Sequence, residues 1–228
     1  MTGDDEALAA EFDVPDSPVA LAARALARDV SPGFVYNHVV RSYLFARELS
    51  AAAAVPQVDD DELLFLACIL HDLGATEFAN TDQRFEVAGA DAAARFLVQH
   101  DVDPSRVEMA WAAIALHTSV GLADRFGPVA AVAHAGIGTD IVGTFRQHLP
   151  ERFADRVHAA WPRHDLGHAL AAVLAEQVER NPAKAPPMSF PAHLHQVMYL
   201  ATPAVTWLDA VAAAGWNDRP VAMREAAS

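Results

Sequence analysis

The sequence predicts an all-α fold that forms a single helical domain. Along most of the 228 residues, apolar side chains recur at intervals of three and four, which places them on one face of a helix. Proline and glycine interrupt this pattern where helices are expected to begin or end. We find no runs of alternating apolar and polar residues between turn signals, the pattern that predicts β-strands. A hydrophobic content of 53% is sufficient for one well-formed core.

The predicted helices follow one another with short breaks. Residues 1–16 are expected to be a loose acidic lead-in, and residues 17–228 to be the helical domain. Ser17-Pro18 is a typical helix start, with a capping hydroxyl and a proline in the first turn. Gly74 stands where the third helix should stop. The helices are predicted at 17–29, 31–54, 59–72, 84–99, 104–118, 122–133, 150–160, 166–180 and 190–214, with a proline-rich crossing at 181–191 and a break at Pro203.

Charge and cysteine content limit the expected partners. Sixteen Lys and Arg against 30 Asp and Glu give a net charge of −14, and such a field repels nucleic acid and anionic membranes. The amino terminus lacks the basic-then-apolar pattern of a signal peptide, and the apolar runs are shorter than the ~20 residues of a membrane span. The single cysteine, Cys68, excludes an internal disulfide and a thiolate metal cage. We therefore expect a cytoplasmic protein without nucleic-acid or membrane partners; its Ala-rich amphipathic surface makes a homo-oligomer reasonable.

The strongest candidate for chemistry is the dipeptide His71-Asp72, which follows the apolar run LLFLACIL. A carboxylate directly after such a run is costly to bury without a partner. A metal ion would be one partner, and a hydrogen-bond network at the helix end would be another. The same dipeptide recurs at His164-Asp165 without a preceding apolar helix, and there we interpret it as a helix start. An isolated HD dipeptide is therefore weak evidence.

Two further polar residues strengthen the metal hypothesis. His38 lies on the apolar stripe of the second predicted helix, and Asp140 stands among small and apolar residues in GIGTDIVG. With His71 and Asp72 they provide two imidazoles and two carboxylates. This is a borderline to hard ligand set, suited to one divalent ion such as zinc, with iron or manganese as alternatives.

The order H…HD…D on successive helices resembles the HD superfamily, over roughly residues 31–145. Several stretches are similar to its cyanamide hydratase branch: NHVVRSYLFA at 37–46, ILHDLG with Thr76 close behind, AIALHTS around His117, GIGTDIVG, and the W-P-R segment at 161–163. The resemblance implies an HD-type helical bundle with a zinc-dependent site that adds water to the C≡N bond of cyanamide and yields urea. It also implies a set of metal ligands, namely His38, His71, Asp72 and Asp140.

Three residues are candidates for proton transfer. A divalent ion would lower the pKa of bound water, so that hydroxide becomes available to attack a nitrile carbon. Asp72 is a candidate to take the proton of that water, and His117 is a candidate proton donor to the nitrogen. His117 could instead be a helix C-terminal histidine satisfied by nearby carbonyls. Glu77, in the loop HDLGATEF, is a second candidate acid or base, or else an exposed loop carboxylate.

Four residues are predicted to contact the substrate: Asn37, Arg41, Phe78 and Thr118. Asn37 and Arg41 flank His38, and Arg41 is expected to brace the site by pairing with Asp72 or Glu77. The pocket for a cyanamide-sized molecule should be small and mostly apolar.

Other functions stay open at this point. A phosphohydrolase acting on a nucleotide or small phosphate ester would use the same ion, but it would need several cationic groups around the phosphoryl oxygens. Only Arg41 and Arg84 stand near the ligands in the sequence. A two-iron oxygenase would need two more histidines, for which His100, His117 and His134 are available. A sensory module with an idle metal is the alternative without catalysis.

Overall fold

The computed structural model describes residues 2–201, 203 and 205–216. Within this part of the chain every regular element is a helix, so the predicted all-α class is confirmed. The α-helices are α1 Thr2–Glu11, α2 Pro18–Val30, α3 Gly33–Ala51, α4 Asp61–Leu70, α5 Phe85–Gln99, α6 Pro104–Ala115, α7 Pro128–Val142, α8 Phe153–Ala160, α9 Leu166–Arg180, α10 Phe190–Met198 and α11 Trp207–Ala213. Residues 1, 202, 204 and 217–228, which the two predicted segments include, lie outside the described residues. None of the described helices has the length and hydropathy needed to cross a membrane.

α4 lies at the centre of the bundle, since every residue from Leu63 to Leu70 is buried. A helix that is apolar on all sides is expected to have neighbours all around it, and α4 packs against α2, α3, α6 and α7. The helix begins at Asp60, whose carboxylate caps it by accepting a hydrogen bond of 2.9 Å from the Leu63 amide. Because α4 is central, the residues that come directly after it in the chain also lie in the interior.

α3 and α7 are in close contact at Gly136. A Cβ at this position would lie 2.4 Å from the carbonyl oxygen of Ser42 and 2.4 Å from the Cβ of Ala46. Glycine is therefore required here by the close contact of two helices. The same packing brings His38 of α3 beside Asp140 of α7.

We expect the substitution Gly136→Ala to lower the free energy of unfolding by about 3 kcal/mol, because overpacking must push α3 and α7 apart. Urea denaturation monitored by circular dichroism measures this loss. Gly138→Ala is the matched control in the same helix, because its Cβ would find only the Thr144 hydroxyl, at 3.4 Å. The control should be neutral or gain up to about 1 kcal/mol of helix propensity. Equal stabilities for the two variants would contradict the close contact.

Both ends of the chain differ from the prediction. The expected loose lead-in is the helix α1, because the Asp5 carboxylate ties it to the bundle by accepting hydrogen bonds from Arg28, Tyr36 and Trp161. α1 is only weakly amphipathic, so the spacing of its apolar residues did not predict a helix. The helix predicted at 190–214 with a break at Pro203 is divided into α10, which ends at Met198, and α11, which begins at Trp207, so both parts are shorter than predicted.

Two further boundaries differ near the candidate site. The helix predicted at 122–133 begins later and ends later, because Gly127, at φ 95°, precedes a proline that starts α7. α7 therefore continues past Asp140. The third helix ends at Leu70 and not at Asp72, so His71 and Asp72 occupy a turn that leads into a short 3-10 helix at Leu73–Ala75.

Candidate metal centre

The turn after α4 holds His71 and Asp72 in the interior, where they are 1% and 2% exposed. Nδ1 of His71 lies 2.7 Å from the carbonyl oxygen of Cys68 in the last turn of the helix. Gly74 lets this turn lie directly on α5, because a Cβ there would stand 1.9 Å from the carbonyl oxygen of Phe85. The local backbone thus turns both side chains of the HD dipeptide toward α3.

His38, which is 1% exposed, meets this turn from α3. Its Nδ1 lies 2.7 Å from Oδ2 of Asp140, and its Nε2 lies 3.2 Å from Nε2 of His71. A carboxylate and a carbonyl accept hydrogen bonds only, so the Nδ1 atom of each histidine carries the proton. The two Nε2 atoms therefore face each other across a position that one cation can occupy, either a proton on one of them or a metal ion between them.

The fit of a divalent ion can be tested on the distances among the donor atoms. Oδ2 of Asp72 lies 3.6 Å from Nε2 of His38 and 3.4 Å from Nε2 of His71. Nitrogen and oxygen ligands at about 2.0–2.2 Å from a tetrahedral ion stand roughly 3.3–3.6 Å apart. Oδ2 of Asp72 is also buried, and no described residue forms a hydrogen bond with it. We call His38, His71 and Asp72 the metal cluster. Their donor atoms match the donor set of a divalent ion.

The electrostatics of the metal cluster favour positive charge. Burial alone would raise the pKa of Asp72, but the nearby His71, His38 and His117 outweigh it and hold this pKa well below its ordinary value. Burial likewise lowers the pKa of His71, but the Asp72 carboxylate more than offsets this and raises it. The Asp72 carboxylate is thus ionised and ready to bind a cation.

His117 stands just outside the metal cluster, at the end of α6. Its Nδ1 donates to the carbonyl oxygen of Ile114 at 2.6 Å. This is the contact expected of a helix C-terminal histidine without a catalytic role. Its Nε2 nevertheless lies 4.0 Å from Oδ1 of Asp72. Burial and the nearby His71 lower the pKa of His117 to about 4. His117 is therefore a neutral imidazole whose free lone pair faces the site.

Asp140, predicted as the fourth ligand, lies on the far side of the His38 ring and does not join the metal cluster. Its two oxygens accept hydrogen bonds of 2.8 Å from Nε and Nη2 of Arg41, and Oδ1 accepts another of 2.8 Å from Arg163. Burial raises the pKa of Asp140, but His158, His38 and Arg41 together hold it well below its ordinary value. The carboxylate neutralises a buried guanidinium and orients His38, the role that carboxylates often play behind a metal-binding histidine.

Arg41 and Asn37 do not contact the pocket, in contrast to their predicted substrate role. Arg41 is fully buried, pairs with Asp140 in place of Asp72 or Glu77, and donates from Nη1 to the carbonyl oxygens of Trp161 and Pro162. Asn37 donates to the Pro162 carbonyl oxygen at 2.9 Å. Both side chains point away from the metal cluster because they hold the W-P-R segment against α3.

A pocket of about 330 Å³ opens over the metal cluster. Thr118 lines it, as predicted, and its hydroxyl donates to Oε1 of Glu86 at 2.7 Å. Glu77 and Phe78 do not. The Glu77 side chain is 77% exposed and pairs with Arg180, and Phe78 is 52% exposed. The loop that carries both residues turns outward after Thr76, so the structure places neither side chain in the pocket.

Two functional candidates were missed or underweighted by the sequence reasoning. His134 lines the pocket and donates from Nδ1 to the carbonyl oxygen of His117 at 2.7 Å. Its spacing to Ile137 and Ile141, which line the same pocket, was a usable helical signal. Glu86 is fully buried and offered no such signal. Of the histidines available for a second metal, His100 is exposed, and the described residues contain no second ligand group.

Comparison with known proteins identifies the segment that carries this site. Residues 35–131 match the model of the HD domain family. The match spans less than half of the chain; it includes the metal cluster and His117 and ends before Asp140. No curated protein matches the sequence. An HD domain with a buried His-His-Asp cluster supports a divalent-metal site and metal-dependent chemistry of the hydrolytic kind. The match of residues 35–131 therefore supports membership of the chain in the HD superfamily.

Proposed function

We propose that this protein is a metal-dependent enzyme that adds water to the C≡N bond of a small uncharged molecule, the reaction that turns cyanamide into urea. One observation carries the proposal: the metal cluster forms the floor of a pocket in which no described lining residue is Lys or Arg. Such a site suits an uncharged electrophile. The similarity of the HD, AIALHTS and GIGTDIVG stretches to cyanamide hydratases supports the same reaction.

We assign the metal to His38, His71 and Asp72, and zinc is the ion that best suits two imidazoles and one carboxylate. Three protein ligands are typical of catalytic zinc sites, which keep a further position for water or substrate. When bound, the ion would supply a Lewis acid that polarises the substrate and acidifies water. Asp140 and the Cys68 carbonyl accept the Nδ1 protons of the two histidines, so that both Nε2 atoms face the position of the ion.

His117 is the residue that we assign to proton transfer. Its Nδ1 proton is committed to Ile114, so its Nε2 receives a proton before it can donate one. In the proposed reaction a C–O bond forms, one π bond of C≡N breaks, and the proton lost by water passes through Nε2 to the substrate nitrogen. The resulting imidic acid tautomerises to the amide. His117 thus acts first as base and then as acid, a change from the simple donor role expected from the sequence.

Hydrolysis of phosphate esters is less well supported by the pocket. A transferred phosphoryl group needs cationic groups around its oxygens. Arg41 forms an ion pair with Asp140, and Arg84 forms one with Glu86 through Nη2 at 2.6 Å. Neither arginine lines the pocket. This pairing disfavours the alternative of a nucleotide phosphohydrolase.

The test combines elemental analysis with an assay of amide or urea release from cyanamide and simple nitriles. We expect about one zinc per chain in the wild type. His117→Gln should keep its zinc and lose about 10²–10⁴-fold in kcat, the usual contribution of a general acid-base. An enzyme that cleaves 4-nitrophenyl phosphate or nucleotides while leaving every nitrile intact would overturn the proposal. Loss of zinc from His117→Gln would instead make His117 a ligand.

A further inference from the structure

We propose that the substrate carries a hydrocarbon group that fills the pocket, so that an aliphatic or aromatic nitrile is preferred to cyanamide itself. This inference rests on the proposed function for the reacting C≡N group and on the pocket for the remainder of the molecule. It specifies the substrate class of the same site.

The size of the pocket is the first argument. Its volume of about 330 Å³ falls within the range of about 300–1,000 Å³ found for sites that bind drug-sized molecules. Cyanamide, with a handful of atoms, would leave most of this space to water. A substrate of matching size extends from the metal cluster toward the opening.

The walls are the second argument, because they are apolar on three sides. α7 contributes Ile137 and Ile141, α9 contributes Leu170 and Leu174, and α10 contributes Leu194. Apolar surface of this kind stabilises a ligand in proportion to the apolar area that the ligand removes from water. It offers no partner to the amino group of cyanamide, and burying an unpartnered polar group costs free energy.

The polar groups of the pocket lie in the metal cluster and in the residues around His117, and most of them are already committed. His38 and His71 belong to the metal cluster, the Thr118 hydroxyl donates to Glu86, and His134 donates to the His117 carbonyl oxygen. The polar end of the substrate is therefore held at the metal cluster, and the rest of the molecule meets hydrocarbon.

The opening of the pocket is also lined by apolar side chains. Val120 and Val142 line it and are 86% and 76% exposed. α9 contributes Gly167 and Ala171 to the same pocket, and a Cβ at Gly167 would meet no atom of the described residues within 4 Å. Small side chains on α9 thus keep the channel wide enough for a chain or ring.

The experiment measures the affinity of the zinc-loaded protein for a series of alkyl hydroxamates, from acetohydroxamate to octanohydroxamate, by isothermal titration calorimetry. The hydroxamate head binds zinc, and the tail reports on the pocket without any turnover. We expect Kd to fall about fourfold for each added methylene until the pocket is full, the effect of burying one CH₂ group. A Kd that does not change with chain length, or no binding at any length, would overturn the inference.

A matched pair of variants locates the tail. Ala171→Phe places a ring in the pocket and should raise the Kd of hexanohydroxamate toward that of acetohydroxamate. Ala172→Phe changes the adjacent, exposed position of α9 and should leave the whole series as in the wild type. Equal behaviour of the two variants would place the tail elsewhere and overturn the inference. Nitrile turnover is assayed separately, so chain-length-dependent binding without hydration of any nitrile would reject the proposed reaction and keep the apolar substrate class.

Discussion

Asp72→Ala is expected to abolish zinc binding and to lower turnover by at least about a thousandfold. Lewis-acid stabilisation is worth several kcal/mol, and about 1.4 kcal/mol corresponds to a factor of ten in rate. The structural reason is that Asp72 supplies the one carboxylate of the metal cluster, and its Oδ2 has no hydrogen-bond partner among the described residues. Elemental analysis and the nitrile assay measure the two effects.

The loss of zinc binding in Asp72→Ala can also be measured from Tm, without any assay of the reaction. Zinc at a hundred times its Kd should stabilise the wild type by about 2.7 kcal/mol, which raises Tm by roughly 5–11 °C for a domain of this size. The rise should vanish in Asp72→Ala. Glu77→Ala is the matched control, because it removes one nearby carboxylate that is exposed; it should behave as the wild type. Unchanged zinc content in Asp72→Ala would refute the metal cluster.

Asp140→Ala is expected to destabilise the protein even when no metal is bound. The substitution leaves the guanidinium of Arg41, which is fully buried, without its carboxylate partner. Breaking a buried ion pair in this way costs about 3–5 kcal/mol, or roughly 6–20 °C in Tm. Zinc affinity should also fall by about 10–100-fold, because His38 loses the carboxylate that orients it. Calorimetry of chelator-treated protein and a zinc titration measure the two losses.

The metal-free measurement separates the two possible roles of Asp140. If Asp140 were only a ligand, Asp140→Ala would lose zinc and keep the metal-free Tm of the wild type. Asp155→Ala, at an exposed position of α8, is the control for removal of one carboxylate and should shift Tm by no more than a degree or two. Adding Arg41→Met to Asp140→Ala should cost less than the sum of the single substitutions, because both remove the same pair.

Much of the site could be predicted because its residues break the local pattern of the sequence. His38 interrupts an apolar stripe, and Asp72 follows the run Leu63–Leu70, which is buried on all sides. Polar groups in such positions need a partner, and this need is visible without coordinates. The failed predictions concern residues whose surroundings come from distant segments. Arg41 was expected to pair with Asp72 or Glu77, but a guanidinium can pair with any carboxylate within reach, and in the structure its partner is Asp140, at 2.8 Å.

The sequence by itself determined the all-α class and marked His38, His71 and Asp72 as polar residues that need a partner in the core, while the resemblance to the HD superfamily implied that they converge. Helical periodicity and the cost of burying charge are local properties, and they need no knowledge of what lies across the core. Only the tertiary structure decided that Asp140 braces His38, that Glu77 and Phe78 face solvent, and that α9 and α10 wall the pocket with hydrocarbon. These features depend on side-chain orientation between segments far apart in the chain, such as the contact of α3 with α7 at Gly136, which no pattern within one helix encodes.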